Sequence, residues 1–188
     1  MDADMGKLID RPKGTLDDRS IYAFCDFETT GVDPDSDFPI EVGLVFVDGT
    51  FRELSSFESL IRLVLCPANY AEAERIHGIP FTELVDAPTP TNVVEAISRR
   101  CRALRNMHEP VDRIVLVSDN AQFEHRFMER LYAMAGAKSV FPFHYCTWDT
   151  SLLLELTRVG DNPNPAHRAL ADAYDILMRV KHARTLLL

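Results

Sequence analysis

From Ile21 to Phe27 the chain is apolar and rich in β-forming residues, and Thr29-Thr30-Gly31-Val32-Asp33-Pro34 closes the run with turn chemistry. A strand is expected there. Ile40 to Val47 reads as a second strand, followed by the hairpin signal Asp48-Gly49. A third strand falls within Phe51 to Leu65, in a register that the pattern leaves open. Three early strands joined in this way predict an antiparallel meander. The period then changes. Tyr70 to His77 predicts a short helix that Gly78 stops. Asn92, with Glu95 three residues on, signals the start of another, whose apolar face is Val94, Ile97, Cys101 and Leu104. Arg113 to Ser118 holds a buried-type strand. A helix from about Asn120 to Ala135 follows, with Phe123, Phe127, Leu131 and Met134 on one face. Phe143 to Trp148 is a short strand, Thr150 to Thr157 a helix, Gly160 to Pro165 a loop, and Arg168 to Leu186 the last helix. Strands first and strand–helix alternation afterwards indicate an α/β fold, a mixed sheet with helices packed on it. Trp148 and the helical phenylalanines are expected in the core.

Composition narrows the class. The 188 residues are 46% apolar and 26% charged, the balance of a globular chain. This length supports one domain, here residues 20–188, preceded by a polar leader over 1–19 outside the core. The net charge of −9 is uneven: residues 1–98 hold 7 Lys/Arg and 19 Asp/Glu, whereas residues 99–188 hold 13 and 10. An acidic chain does not coat duplexes by neutralising phosphates, but it can grip one strand end through metal ions. Cys25, Cys66, Cys101 and Cys146 show no zinc-knuckle or redox spacing. With no signal peptide at the start and no run of about 20 apolar residues, the expectation is a cytoplasmic protein without a membrane partner. Arg99, Arg100, Arg102 and Arg105 could guide a strand, although such a run is usually a helix's solvated face.

The candidate chemistry begins with Asp26 and Glu28. Two residues apart at a strand end, they share one face, while Cys25 and Phe27 point the other way. Two carboxylates about 4 Å apart repel by about 4 kcal/mol at an effective dielectric near 20. A fold keeps such a pair when a cation lies between them or when one is protonated. Glu124 opens the helix after the Ile-Val-Leu-Val strand, and Asp172 lies one turn into the last helix, five residues after His167. Taken singly each has a plain structural explanation: a solvated loop acid, a solvated helix residue, a first-turn acid favoured by the helix dipole. Together they stand at the ends of elements that could share one sheet edge.

Cys25-Asp26-Phe27-Glu28-Thr29-Thr30-Gly31 resembles the first motif of the DEDDh 3′–5′ exonucleases, the group of the polymerase proofreading exonucleases, RNase T and oligoribonuclease. Ser118-Asp119-Asn120-Ala121-Gln122-Phe123-Glu124 stands where that family's second motif, His-Asn-Ala-x-Phe-Asp, is expected. His167-Arg168-Ala169-Leu170-Ala171-Asp172-Ala173 is similar to the third motif, His-x-Ala-Leu-x-Asp-Ala. Ile76-His77-Gly78-Ile79 and Asp149-Thr150 also fit, so the resemblance spans Ile21 to about Leu177. The first motif is closer to the proofreading and RNase T branches than to oligoribonuclease, which usually has Met where Thr29 stands. Two departures stand out: Asp119 replaces the usual His, and Glu124 replaces the usual Asp.

The resemblance implies a ribonuclease H-like mixed sheet, antiparallel over its first three strands and then parallel, flanked by helices. It implies removal of nucleoside 5′-monophosphates from the 3′ end of single-stranded DNA or RNA. It assigns Asp26, Glu28, Glu124 and Asp172 to two ions of Mg²⁺ or Mn²⁺ type, a pair that clamps the attacking and leaving oxygens. His167 is then the general base. Phe27, Thr29, Thr30, His77 and Asn120 are the expected substrate contacts, although for His77 a plain helix-end role is as fitting. A DNA polymerase is a candidate partner, and a homodimer is left open. The rival readings are an exonuclease-like binding module impaired by Asp119 and Glu124, and an aspartate-nucleophile phosphatase built on Asp26.

Overall fold

In β1 (Ser20–Thr29) nearly every side chain is buried, because the strand runs through the middle of the sheet and is covered on both faces. A computed structural model describes residues 15–108, 110–136 and 141–188. β1 pairs antiparallel with β2 (Pro39–Val47), which pairs antiparallel with β3 (Glu53–Leu60). On its other side β1 pairs parallel with β4 (Arg113–Ser118), and β4 with the two-residue β5 (Trp148–Asp149). The order β3-β2-β1-β4-β5 is the mixed sheet expected from the sequence.

Alternation along β1 sorts its side chains. Ile21, Ala23, Cys25 and Phe27 join Leu44, Phe46 and Leu116 beneath α3 (Pro90–Met107) and α4 (Ala121–Met134). Tyr22 and Phe24 face the other way, with Val45, Val115 and Val117, onto Ala173, Ile176, Leu177 and Val180 of α6 (Ala169–Leu186). The same alternation turns Asp26 and Glu28 to the α6 side. β4 pairs with β1 only from Ser20↔Arg113 to Phe24↔Val117, so β1 outruns it and carries both carboxylates past the end of the parallel ladder. A crevice beyond the carboxyl ends of parallel strands is where α/β sheets place their ligands.

Several boundaries move from the sequence expectation. The first residue of α3 is Pro90, capped by Thr89 Oγ1, which accepts from Asn92 N at 3.2 Å. Asn92 is therefore the donor to the cap, because Pro at the first position already fits the helix. Met134 and Phe123 are only half-buried on α4, whose covered stripe is Ala121, Glu124, Phe127, Met128, Leu131 and Tyr132. The strand expected over 143–148 shrinks to β5. His144 N still donates to Ile114 O at 2.7 Å, but Tyr145 and Cys146 turn to solvent. Trp148 is a third exposed and lies on the Tyr22 ring, centroids 4.9 Å apart, rather than in the core. α1 (Tyr70–His77) ends at Gly78 in the left-handed conformation, φ 68. The short α2 (Phe81–Val85) has no periodic signal in the sequence; Leu84 anchors it to Ile40, Leu63, Tyr70 and Ile79. α5 (Ser151–Thr157) packs beside α6. Of the expected leader, residues 1–14 lie outside the described residues. Leu16 N donates to Gly49 O at 2.8 Å, and Asp17 pairs with Arg113 at 3.1 Å. Among the described residues no helix is long and apolar enough to cross a membrane.

One contact sets where α6 begins. A Cβ placed on Gly43 of β2 would stand 2.2 Å from the Ala169 carbonyl carbon and 2.3 Å from Leu170 N. No side chain can be fitted there without pushing the helix off the sheet. Gly43→Ala is therefore expected to lower the unfolding free energy by about 3 kcal/mol and the melting temperature by roughly 6–12 °C. Denaturant and thermal unfolding of the variant check this; an unchanged midpoint would show that α6 can recoil.

Candidate active site

The first turn of α6 has no side-chain cap of its own. Glu41 supplies one from the sheet: its Oε2 accepts from Ala169 N at 3.0 Å, and its carboxylate takes the Arg168 fork, Nη2 to Oε1 at 2.5 Å and Nε at 3.1 Å. Glu41 is fully buried and stands directly across the strand pair from Glu28. Through it, the helix that carries Asp172 is fastened beside the strand that carries Asp26 and Glu28.

His167, just before α6, has φ 50, in the left-handed region that non-glycine residues avoid. Asp172 holds it there. Its Oδ1 accepts from Ala166 N at 3.1 Å and its Oδ2 from Arg168 N at 3.2 Å, so one carboxylate grips the backbone on both sides of His167. A non-glycine residue held in this region costs of order 1–3 kcal/mol and persists only where its surroundings over-determine it. The result is a compact group in which Glu28, His167 and Asp172 each offer a ligand atom within 4.8 Å of the others.

Asp26 and Glu124 line the same cleft, of about 440 Å³, together with Phe27, Asn120, Asp161, Asp175 and Arg179. Burial pushes the Asp26 carboxyl well above its usual range, and Glu28, Asp172, Asp119 and Glu41 push it further. Glu28 is raised to about 8, first by burial, then by Asp172 and Glu41, with Arg168 opposing. Glu124 is raised by burial and by Asp26 and Glu28, against a hydrogen bond from the Phe27 backbone. Its Oε2 is buried and has no hydrogen-bond partner among the described residues. An unsatisfied buried carboxylate oxygen among crowded acids is what a bound cation would relieve. The donors are carboxylate oxygens with one imidazole, a set suited to a hard divalent ion. Asp26, Glu28, Glu124 and Asp172 thus line one cleft, and within it, among the described residues, Glu28, His167 and Asp172 stand at ligand spacing.

Asp119 is not a free extra acid. Thr150 Oγ1 donates to its Oδ1 and Arg179 Nη2 to its Oδ2. Asn120 uses its side chain to cap α4, accepting from Phe123 N at 3.4 Å. Thr29, Thr30 and His77 line a neighbouring cavity of about 360 Å³, which shares Glu28 as a wall with the main cleft. The threonine hydroxyls are engaged: Thr29 Oγ1 donates to Gly31 O at 2.6 Å, and Thr30 Oγ1 accepts from Phe38 N at 3.0 Å. His77 is buried. Its Nδ1 accepts from Ile79 N at 3.0 Å, its Nε2 has no partner among the described residues, and burial holds its pKa below the usual histidine value. Of the four arginines on α3, Arg100 donates to Ser55 Oγ and Arg105 to the Pro142 carbonyl, so these two brace the fold.

The sequence matches the exonuclease family named for RNase T over residues 23–178. Oligoribonuclease of Nitrosomonas europaea is 28% identical over 180 residues, which cover 89% of this chain and 95% of the relative. Oligoribonuclease of Aromatoleum aromaticum is 26% identical over 180 residues, covering 89% and 94%. Among solved structures, the zinc-bound complex of E. coli exonuclease I with single-stranded DNA superposes with a TM-score of 0.64 at 18% identity, covering 88% of this chain. Exonuclease I of Methylocaldum szegediense gives 0.61 at 18%, covering 86%. The chain spans 40% and 39% of those two longer proteins, and the likeness to them is one of fold.

The raised carboxyls make a stability prediction. Asp26, Glu28 and Glu124 hold protons more tightly folded than unfolded. The stability from that difference is full below their unfolded values near 4 and is lost as pH rises, for Glu28 through about 8. In chelator, the melting temperature is expected to fall by roughly 5 °C or more between pH 5.5 and 8.5. Millimolar Mn²⁺ should restore it at the upper pH, and Glu28→Gln should flatten the slope. A melting temperature independent of both pH and cation would count against the charge-crowded site.

Proposed function

Because the chain belongs to the RNase T exonuclease family, we propose that it removes nucleoside 5′-monophosphates one at a time from the 3′ end of single-stranded nucleic acid. The observation that carries this reading is the convergence of Asp26, Glu28, Glu124, His167 and Asp172 on one cleft at the sheet's carboxyl edge. Asp26, Glu28, Glu124 and Asp172 would hold two divalent ions, of which Mg²⁺ and Mn²⁺ suit the oxygen donors. Bound there, such ions would neutralise charge in a cleft that otherwise repels phosphate and would supply Lewis acidity.

The protein's own part follows from its geometry. His167 accepts the proton of the water whose oxygen attacks phosphorus, while the bond from phosphorus to the preceding 3′ oxygen breaks and that oxygen takes a proton from solvent. Asp172 keeps the imidazole over the cleft through the two backbone hydrogen bonds that flank it. Asp26 and Glu28 stay in line along β1 because β2 pairs with both, Asp26 opposite Gly43 and Glu28 opposite Glu41. The small cavity beyond Glu28, with His77 and the 29–31 backbone, receives the terminal nucleotide. The sequence relatives are oligoribonucleases, which favours short RNA strands over long DNA as the working substrate.

Digestion of matched 5′-labelled DNA and RNA oligomers with Mn²⁺ tests the reading. The expected product is a ladder shortening from the 3′ end, steeper on RNA. His167→Ala should lower kcat by roughly 10²–10⁴-fold, and Asp26→Asn should leave still less activity with the fold intact. Uncut strands of both kinds, bound but not shortened, would establish the impaired binding module instead.

A further inference from the structure

Arg179, two turns beyond Asp172 on α6, makes contacts that neither the motifs nor the proposed chemistry uses. Its side chain is only 13% exposed, and it lines the cleft. Its Nε donates to Asp175 Oδ2 at 2.8 Å, its Nη1 to Asp161 Oδ1 at 3.2 Å, and its Nη2 to Asp119 Oδ2. These three acids come from α6 itself, from the loop leading to His167, and from the turn after β4. The planar fork of arginine can hold three such directions at once, and a lysine cannot.

The loop it reaches has little else to hold it. The backbone is left-handed at both ends, with φ 55 at Arg158 and 50 at His167. Asp161 and the residues around it are largely exposed. Val159 N is tied to Leu154 O, and Ala166 N to Asp172. Between those ties, the hydrogen bond from Arg179 to Asp161 is what joins the loop to the helical body among the described residues. The same guanidinium carries a positive charge next to Asp119, an acid that adds to the repulsion felt by Asp26 and Glu124.

From this arrangement we infer that Arg179 is a positioning residue. It latches the 159–167 loop to the turn after β4, and so keeps His167 seated over the cleft. Asp119, which stands where the family's second motif carries histidine, is the anchor of that latch on the sheet side. The inference rests on the exonuclease reading for its kinetic consequence but not for its structural one.

The test compares Asp161→Asn and Arg179→Lys with the parent, each also in a His167→Ala background. In metal-free protein, amide hydrogen exchange over residues 160–166 is expected to rise in both variants. With Mn²⁺ and a short labelled oligonucleotide, Asp161→Asn should lower kcat roughly three- to tenfold with KM within about twofold and an almost unchanged melting temperature, as befits an exposed ion pair. Arg179→Lys should lower it further. In the His167→Ala background both losses should vanish, since a residue acting through another has nothing left to position. Losses that multiply with that of His167→Ala, or loop exchange that does not change, would overturn the latch. A parent protein that cuts no strand would refute the nuclease reading, and the exchange measurement would still decide the latch.

Discussion

The first turn of α6 rests on bare backbone at Gly43, and everything in the cleft depends on that contact. It brings a helix N-terminus within reach of Glu41, whose buried carboxylate both caps Ala169 and pins Arg168. A buried acid in this setting is tolerable because it is paired and hydrogen-bonded on every side the sheet leaves open. Asp172 and His167 are placed by that fixing, one on each side of the anchored arginine. Asp26 and Glu28 are placed by the register of β1 against β2. The two halves of the site meet only because β2 offers no side chain at position 43.

The fold thus assembles negative charge at a cost and keeps it. Glu41 has Arg168, and Asp119 has Arg179, but Asp26, Glu28 and Glu124 face one another across a cleft with no ion pair to any of them among the described residues. Packing supplies the force that holds them there. The same strand that bears the acids contributes Ile21, Ala23, Cys25 and Phe27 to one hydrophobic cluster and Tyr22 and Phe24 to the other. The acids cannot spread apart without unzipping both.

Much of this was legible in the sequence. Alternation in β1 put Asp26 and Glu28 on one face, and the mixed sheet followed from the change of period after the third strand. The three motif segments marked Glu124, His167 and Asp172. What stayed hidden were partners defined across long separations. Glu41 looked like one more residue of a strand, although an acid inside an apolar run is a sign of buried pairing. Arg179 follows Asp172 and Asp175 at helical spacing, a pattern on one face that the third motif obscured. The spacing of α3 gave its face but not the proline start at residue 90, and that of α4 set Phe123 and Met134 deeper than they lie. The run at 143–148 was β-rich in composition, yet Phe143 packs on Phe141, and Phe141 on Tyr132, and most of the run lies as a loop.

The left-handed backbone at His167 has an evolutionary edge to it. Glycine occupies that region without steric penalty, so replacing the histidine would relax the chain and remove the proton acceptor proposed for the reaction in a single step. Selection for heat resistance and selection for turnover therefore pull on this codon in opposite directions. A thermostability screen run without an activity filter would be drawn toward a protein without the proposed base at this position.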